Sequence, residues 1–180
     1  MKKIIILTNL IILYTVSILS QQVSSNFSID DGKIIWQKVF ETDLSFEQLS
    51  SIIKESGIIQ NAEISESKVI GNATSINPDF KGLGYGNMST PIFISRNFVN
   101  CFSLIEFREG RYRVTLKNIV LVQKFDDPLS TEGEKTPIEE YAINRRGEIQ
   151  NSFTKRPSEI LDYTFTKIFT FTDPERDDEW

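Results

Sequence analysis

Phe102-Ser103-Leu104-Ile105-Glu106-Phe107-Arg108-Glu109-Gly110-Arg111-Tyr112-Arg113-Val114-Thr115-Leu116-Lys117 decides the fold. It lies within residues 92–108 and 111–123, two long β-rich runs flanking Glu109-Gly110, a pair that suits a two-residue turn if Gly110 takes positive φ. Such a turn fixes the register, since facing residue numbers must then sum to a constant. Phe107 faces Tyr112, Ile105 faces Val114, Ser103 faces Leu116, Cys101 faces Asn118 and Val99 faces Val120, and this mainly apolar set is assigned to the core. On the other face Glu106 meets Arg113, Leu104 meets Thr115, Phe102 meets Lys117, Asn100 meets Ile119 and Phe98 meets Leu121. The Glu106–Arg113 pair is a favourable cross-strand contact.

Working outward, Lys33–Glu41 alternates, with Ile34, Trp36, Lys38 and Phe40 on one face, and reads as a strand. Ser45 and Gln48 have capping-box spacing. Phe46, Leu49, Ile52 and Ile53 then form the buried stripe of a helix that Gly57 ends. Lys68–Ile76 alternates as a further strand. Residues 77–91 form a loop, whose Gly82-Leu83-Gly84-Tyr85-Gly86 lacks the spacing and flanking elements of a nucleotide-binding loop. A polar loop runs from Asp126 to Thr136, and Ile138–Asn144 is expected as a short strand. Pro157 opens a last helix with Leu161, Phe165, Ile168 and Phe169 on one stripe. Strand, helix, three or four strands, helix is an α+β order. Two amphipathic helices can cover one face of an antiparallel sheet.

Composition removes whole classes of chemistry. The 180 residues contain no histidine and a single cysteine, Cys101. Ser-His-Asp and Cys-His catalysis, imidazole metal ligation, internal disulfides and Cys-x-x-Cys redox motifs are therefore excluded. No catalytic, cofactor-binding or metal-ligating residue is assigned, and no cofactor. Carboxylates could still serve a hydrolase, but Glu139 and Glu140 are adjacent, and Asp126 and Asp127 lie in a loop.

Met1-Lys2-Lys3 followed by the apolar run Ile4–Leu19 fits a signal peptide over residues 1–20, too short for a stable membrane span. An uncleaved anchor helix is the alternative. Cleavage after Ser20 removes two lysines, so formal charge moves from −5 to −7, which argues against nucleic-acid binding. The expected location is the periplasm, cell envelope or exterior. Residues 21–32 read as an N-terminal linker, 33–172 as the domain and 173–180 as an acidic tail.

The chain resembles an exported family of unknown function with a TBP-like fold, common in Bacteroidota. The resembling residues are the signal peptide, Trp36-Gln37-Lys38-Val39-Phe40, Gly110-Arg111-Tyr112-Arg113-Val114-Thr115-Leu116-Lys117-Asn118, Glu140-Tyr141-Ala142-Ile143-Asn144 and the closing helix with Ile168-Phe169. The resemblance implies a TBP-like β-α-β(4)-α fold, a curved antiparallel sheet with two helices packed on one face. It carries no functional residues.

Function is therefore sought on the second face of the hairpin. Phe98, Phe102, Leu104, Ile119 and Leu121 are expected there, beside Arg108, Arg111, Arg113 and Lys117, as a face for an envelope protein, peptide or glycan, or for a second copy in a homodimer. A structural role in a cell-envelope assembly would use the same surface. The competing expectation is that residues 77–96 or the N-terminal segment fold over it and make it second-layer core.

Overall fold

A computed structural model describes residues 26–128 and 130–172; the expected signal peptide and acidic tail lie outside them. The strands are β1 (Phe27–Asp30), β2 (Lys33–Glu41), β3 (Ile59–Ser65), β4 (Lys68–Ile76), β5 (Asn97–Arg108), β6 (Arg111–Gln123) and β7 (Lys135–Pro137). The described helices are α1 (Phe46–Ser56), α2 (Ile92–Ser95), α3 (Glu139–Ala142) and α4 (Arg156–Ile168). All strands join one antiparallel sheet in the order β1-β2-β6-β5-β4-β3. β7 continues along β6 beyond the end of β2. The class is α+β, as expected.

One face carries the core. Ile34 and Trp36 of β2, Val69 and Ala73 of β4, Ile105 of β5, and Tyr112, Val114 and Leu116 of β6 are buried on it. α4 crosses this face: the Trp36 ring meets Phe165 edge-on at 5.4 Å, and Trp36 Nε1 donates to Asp162 Oδ1 at 2.7 Å. The Tyr112 hydroxyl donates to the Phe169 carbonyl at 2.7 Å and accepts from the Phe171 amide at 3.1 Å, tying the end of α4 to the sheet. α1 covers the same face, burying Leu49 and Ile53 and setting Phe46 against Phe107. Its start has both bonds of the capping box, and Gly57 closes it at φ 65°. Pro157 sits in the first turn of α4, where a missing amide hydrogen costs nothing.

The central hairpin keeps the expected register from Arg108↔Arg111 to Phe102↔Lys117 and then departs from it. Asn118 takes φ 51°, and an extra residue bulges from β6. Beyond it Asn100 faces Val120, Val99 faces Leu121 and Phe98 faces Val122. The expected pairs Cys101–Asn118, Asn100–Ile119, Val99–Val120 and Phe98–Leu121 are corrected accordingly. A one-residue slip exchanges faces because side chains alternate with period two. β3 and β4 carry positive-φ residues beside their own register shifts, Asn61 and Ser75, and the Ser75 amide is held by Asn100 Oδ1 at 2.7 Å. Bulges in three strands bend the sheet around its helices.

Four other expectations change. Part of the expected linker is β1, which turns through Asp31 (φ 49°) and Gly32 (φ 72°) into β2. β3 was not anticipated. Residues 92–95 begin not as strand but as the helical turn α2, which buries Ile94. Ile138–Asn144 holds α3 instead of a strand: Ile138 and Ala142, four apart, are both buried, and the strand there is β7. The loop after β4 packs on α4, through the Asp79 amide to Thr164 Oγ1 (2.8 Å), Lys167 to Asp79 (2.8 Å) and buried Phe80. Near the far end of the second face, Asn77 and the Ser95 carbonyl accept from Lys124, which stands over Phe98.

Candidate functional site

The second face is built from the intervening residues of the same strands. Phe98, Phe102 and Leu104 of β5 alternate with buried Val99, Cys101, Ser103 and Ile105, and all three are half-buried. Ile70 of β4 is the register partner of Leu104 and equally half-buried. Arg108 of β5 and Arg111, Arg113 and Lys117 of β6 also lie on this face, as expected. Past Lys117 the bulge resets the assignment along β6. Ile119 and Leu121, expected on this face, are both 0% exposed and belong to the core, so they are removed from the candidate site. Val120 and Val122 take their places and are half-buried. The face thus presents a strip of Ile70, Leu104, Phe102, Phe98, Val122 and Val120, with Val39 of β2 53% exposed toward its edge. The stripes of α1 and α4 pack on the other face, and at the far end of this one Lys124 stands over Phe98.

Charge is distributed unevenly over this surface. Glu106 accepts from Arg113 Nε at 3.1 Å and again from Arg113 Nη2, and Lys68 lies 3.2 Å away on β4. The hydrogen bond from Arg113 is the main cause that holds the Glu106 carboxyl below its usual pKa, with Lys68 adding to it. Lys117 pairs with Asp30 of β1 at 3.0 Å. At the far end Lys124 stands over the Phe98 ring at 5.0 Å and donates to Asn77 and to the Ser95 carbonyl; burial lowers its pKa. Toward the centre Thr115 is buried beneath Gln37, which donates to its hydroxyl at 3.0 Å. At the hairpin end a cavity of about 240 Å³ is lined by Val39, Glu106, Arg108, Arg111, Tyr112 and Arg113.

Sequence reasoning missed Val120, Val122 and Ile70 as members of this face. For Ile70 the signal was strand parity, readable from the β4 pattern. For the two valines it was hidden until the Asn118 bulge was known.

A second concave region, a cleft of about 980 Å³, lies at the start of α4 beside Tyr85 and Pro91. Several of its polar groups are already engaged. The Tyr85 hydroxyl donates to Glu159 at 2.8 Å, Arg156 stacks over the Tyr85 ring at 4.8 Å, and Asp162 accepts from Trp36 and Asn26. The glycine-rich run beside it forms turns, with the Gly84 and Tyr85 amides bonded to Lys81 and Phe80 carbonyls. Cys101 is buried, and burial pushes its thiol up to about 12, so the thiolate is suppressed at neutral pH. Among the described residues no three acidic or cysteine side chains gather as a metal site, and no helix is long and apolar enough to cross a membrane.

No family model and no curated protein matches the chain. It is similar to the crystal structure of a TBP-like protein from Parabacteroides distasonis ATCC 8503, at 13% identity and a TM-score of 0.49 over 79% of this chain and 94% of that one. It is also similar to a DUF4468 family protein from Bacteroides ovatus ATCC 8483, at 15% identity and a TM-score of 0.42 over 83% of this chain and 93% of that one.

Proposed function

We propose that this chain is an extracytoplasmic binding module, exported to the periplasm or cell envelope, that uses the open face of its sheet and carries out no catalysis. The observation that carries this reading is the strip formed by Phe98, Phe102, Leu104, Val120, Val122 and Ile70. It lies on one face and is half-buried, opposite the face that α1 and α4 cover. A clustered, partly exposed apolar surface, broken by Asn100 between Phe98 and Phe102, is the kind of surface an interface uses. Aromatic side chains beside arginines are the composition that interface cores favour. As part of an envelope assembly the protein would use the same surface. Affinity capture of the wild-type chain from envelope extracts, beside a Phe102→Ser, Val122→Ser variant, tests the proposal. Both positions are half-buried, so an unchanged unfolding midpoint verifies the fold of the variant, and loss of the partner from it is expected. Equal recovery by both proteins would refute it.

A further inference from the structure

The hairpin end of the open face contains an arrangement that local stability does not explain. Arg108 and Arg111 are direct register partners across the last pair of β5 and β6. Like charges facing each other across strands are destabilising. Among the described residues neither arginine is joined to an acid in an ion pair. Glu41 is the register partner of Arg111 on its other side, yet the two form no ion pair. The nearby Glu106 carboxylate is already shared between Arg113 and Lys68. These guanidinium groups line the cavity of about 240 Å³, whose apolar wall is Val39. From there the face continues along β5 to Leu104 and Phe102, both half-buried.

We propose that this end is the anchor for an acidic peptide. Arg108 and Arg111 receive its carboxylates, and its apolar side chains lie on Leu104 and Phe102. The proposal rests on the open-face reading and names the partner's chemistry. Guanidinium forks match carboxylates with two parallel hydrogen bonds, which compensates the Arg108–Arg111 repulsion. An extended peptide repeats its side chains every second residue at about 6.6–6.8 Å, the same repeat as the strand beneath it. A uniform polyanion fits less well. The unpaired cations are confined to one end, the next cation along β6, Lys117, is already paired with Asp30, and the chain as a whole is acidic at −5.

The test is fluorescence anisotropy on the purified chain at low ionic strength. The probes are fluorescein-labelled peptides of three Glu-Val repeats, three Ser-Val repeats and three Lys-Val repeats. The Glu-Val peptide is expected to bind at least about tenfold more tightly than the Ser-Val peptide, and the Lys-Val peptide not to bind. Adding salt should narrow the first difference. An Arg108→Gln, Arg111→Gln variant should lose that preference while binding Ser-Val as before; both positions are exposed, and an unchanged unfolding midpoint verifies the fold. Phe102→Ser should weaken both Glu-Val and Ser-Val. If the arginine variant binds Glu-Val as the wild type does, or if tripolyphosphate displaces the probe as well as unlabelled Glu-Val does, the acidic-peptide anchor is overturned. If Glu-Val and Ser-Val bind equally and Phe102→Ser abolishes both, the anchor falls while the open-face reading stands. Absence of binding by any peptide also overturns the anchor.

Discussion

Replacing Ile119 and Val120 separately by alanine measures the bulge that defines the candidate site. In the unbroken hairpin register Val120 would sit in the core and Ile119 on the open face. With Asn118 at φ 51° the two exchange places, and Ile119 is fully buried while Val120 is half-exposed. Removing three carbons from a fully buried isoleucine costs about 2–5 kcal/mol, through lost transfer free energy and the cavity left behind. Trimming a half-exposed valine costs less than ~1 kcal/mol. For a domain of this size each kcal/mol shifts the thermal midpoint by about 4 °C. Ile119→Ala should therefore melt roughly 8–20 °C below the wild type and Val120→Ala within about 4 °C of it. Urea unfolding gives the free energies directly, and an unchanged m-value shows that the two states being compared are the same. Leu121→Ala should behave like Ile119→Ala, since Leu121 is equally buried. A larger loss for Val120→Ala than for Ile119→Ala would refute the bulge and return Ile119 to the open face.

Tyr112→Phe should destabilise the chain by about 1–3 kcal/mol in the same urea assay, because it strands the buried Phe169 carbonyl and Phe171 amide that the hydroxyl joins. Glu106→Gln should cost no more than ~1 kcal/mol at neutral pH, since its cation partners are well exposed. The Glu106 pKa is depressed in the folded chain, so its contribution is present above the unfolded carboxyl value near ~4.3 and lost as pH falls through the lower folded value. The gap between wild type and variant should therefore close in acid. Cys101 should stay unreactive toward a thiol reagent in the folded chain at neutral pH and react fully in denaturant; stoichiometric labelling of the folded protein would contradict its burial.

What the sequence made legible was set by local chemistry with a short period. Glu109-Gly110, the Ser45–Gln48 capping box, Gly57 and Pro157 each have a geometric requirement that few residues meet, and each stands where expected. The alternation of β5 identified the faces on which Phe98, Phe102 and Leu104 stand. Three features were hidden for physical reasons. Asn118 takes the left-handed region at modest cost, so the bulge interrupts the alternation by only one residue while reversing every assignment after it. β3 is an edge strand, and Gln60, Asn61, Glu63 and Ser65 give it the polar character that protects an edge rather than an apolar alternation. β1 lies in a Ser-rich stretch whose strand signal was the turn behind it, Asp31-Gly32, a pair suited to a tight hairpin. Ile138–Asn144 was misread because two buried residues four apart fit a single helical turn as well as a short strand. Ile138 is fixed by its amide, which donates to the Ile119 carbonyl at 3.0 Å, beside the bulge.

The central claim is that the open sheet face is where this protein meets its partner. The most direct measurement places a photo-crosslinking benzoylphenylalanine at position 102 and, as a control, at fully exposed Met88, in the chain expressed in its own cells. The aromatic replacement preserves the character of Phe102 and hence the surface. Irradiation is predicted to give a discrete crosslinked partner from position 102 and none from position 88. Crosslinking from position 88 alone, or from neither position, would contradict the claim.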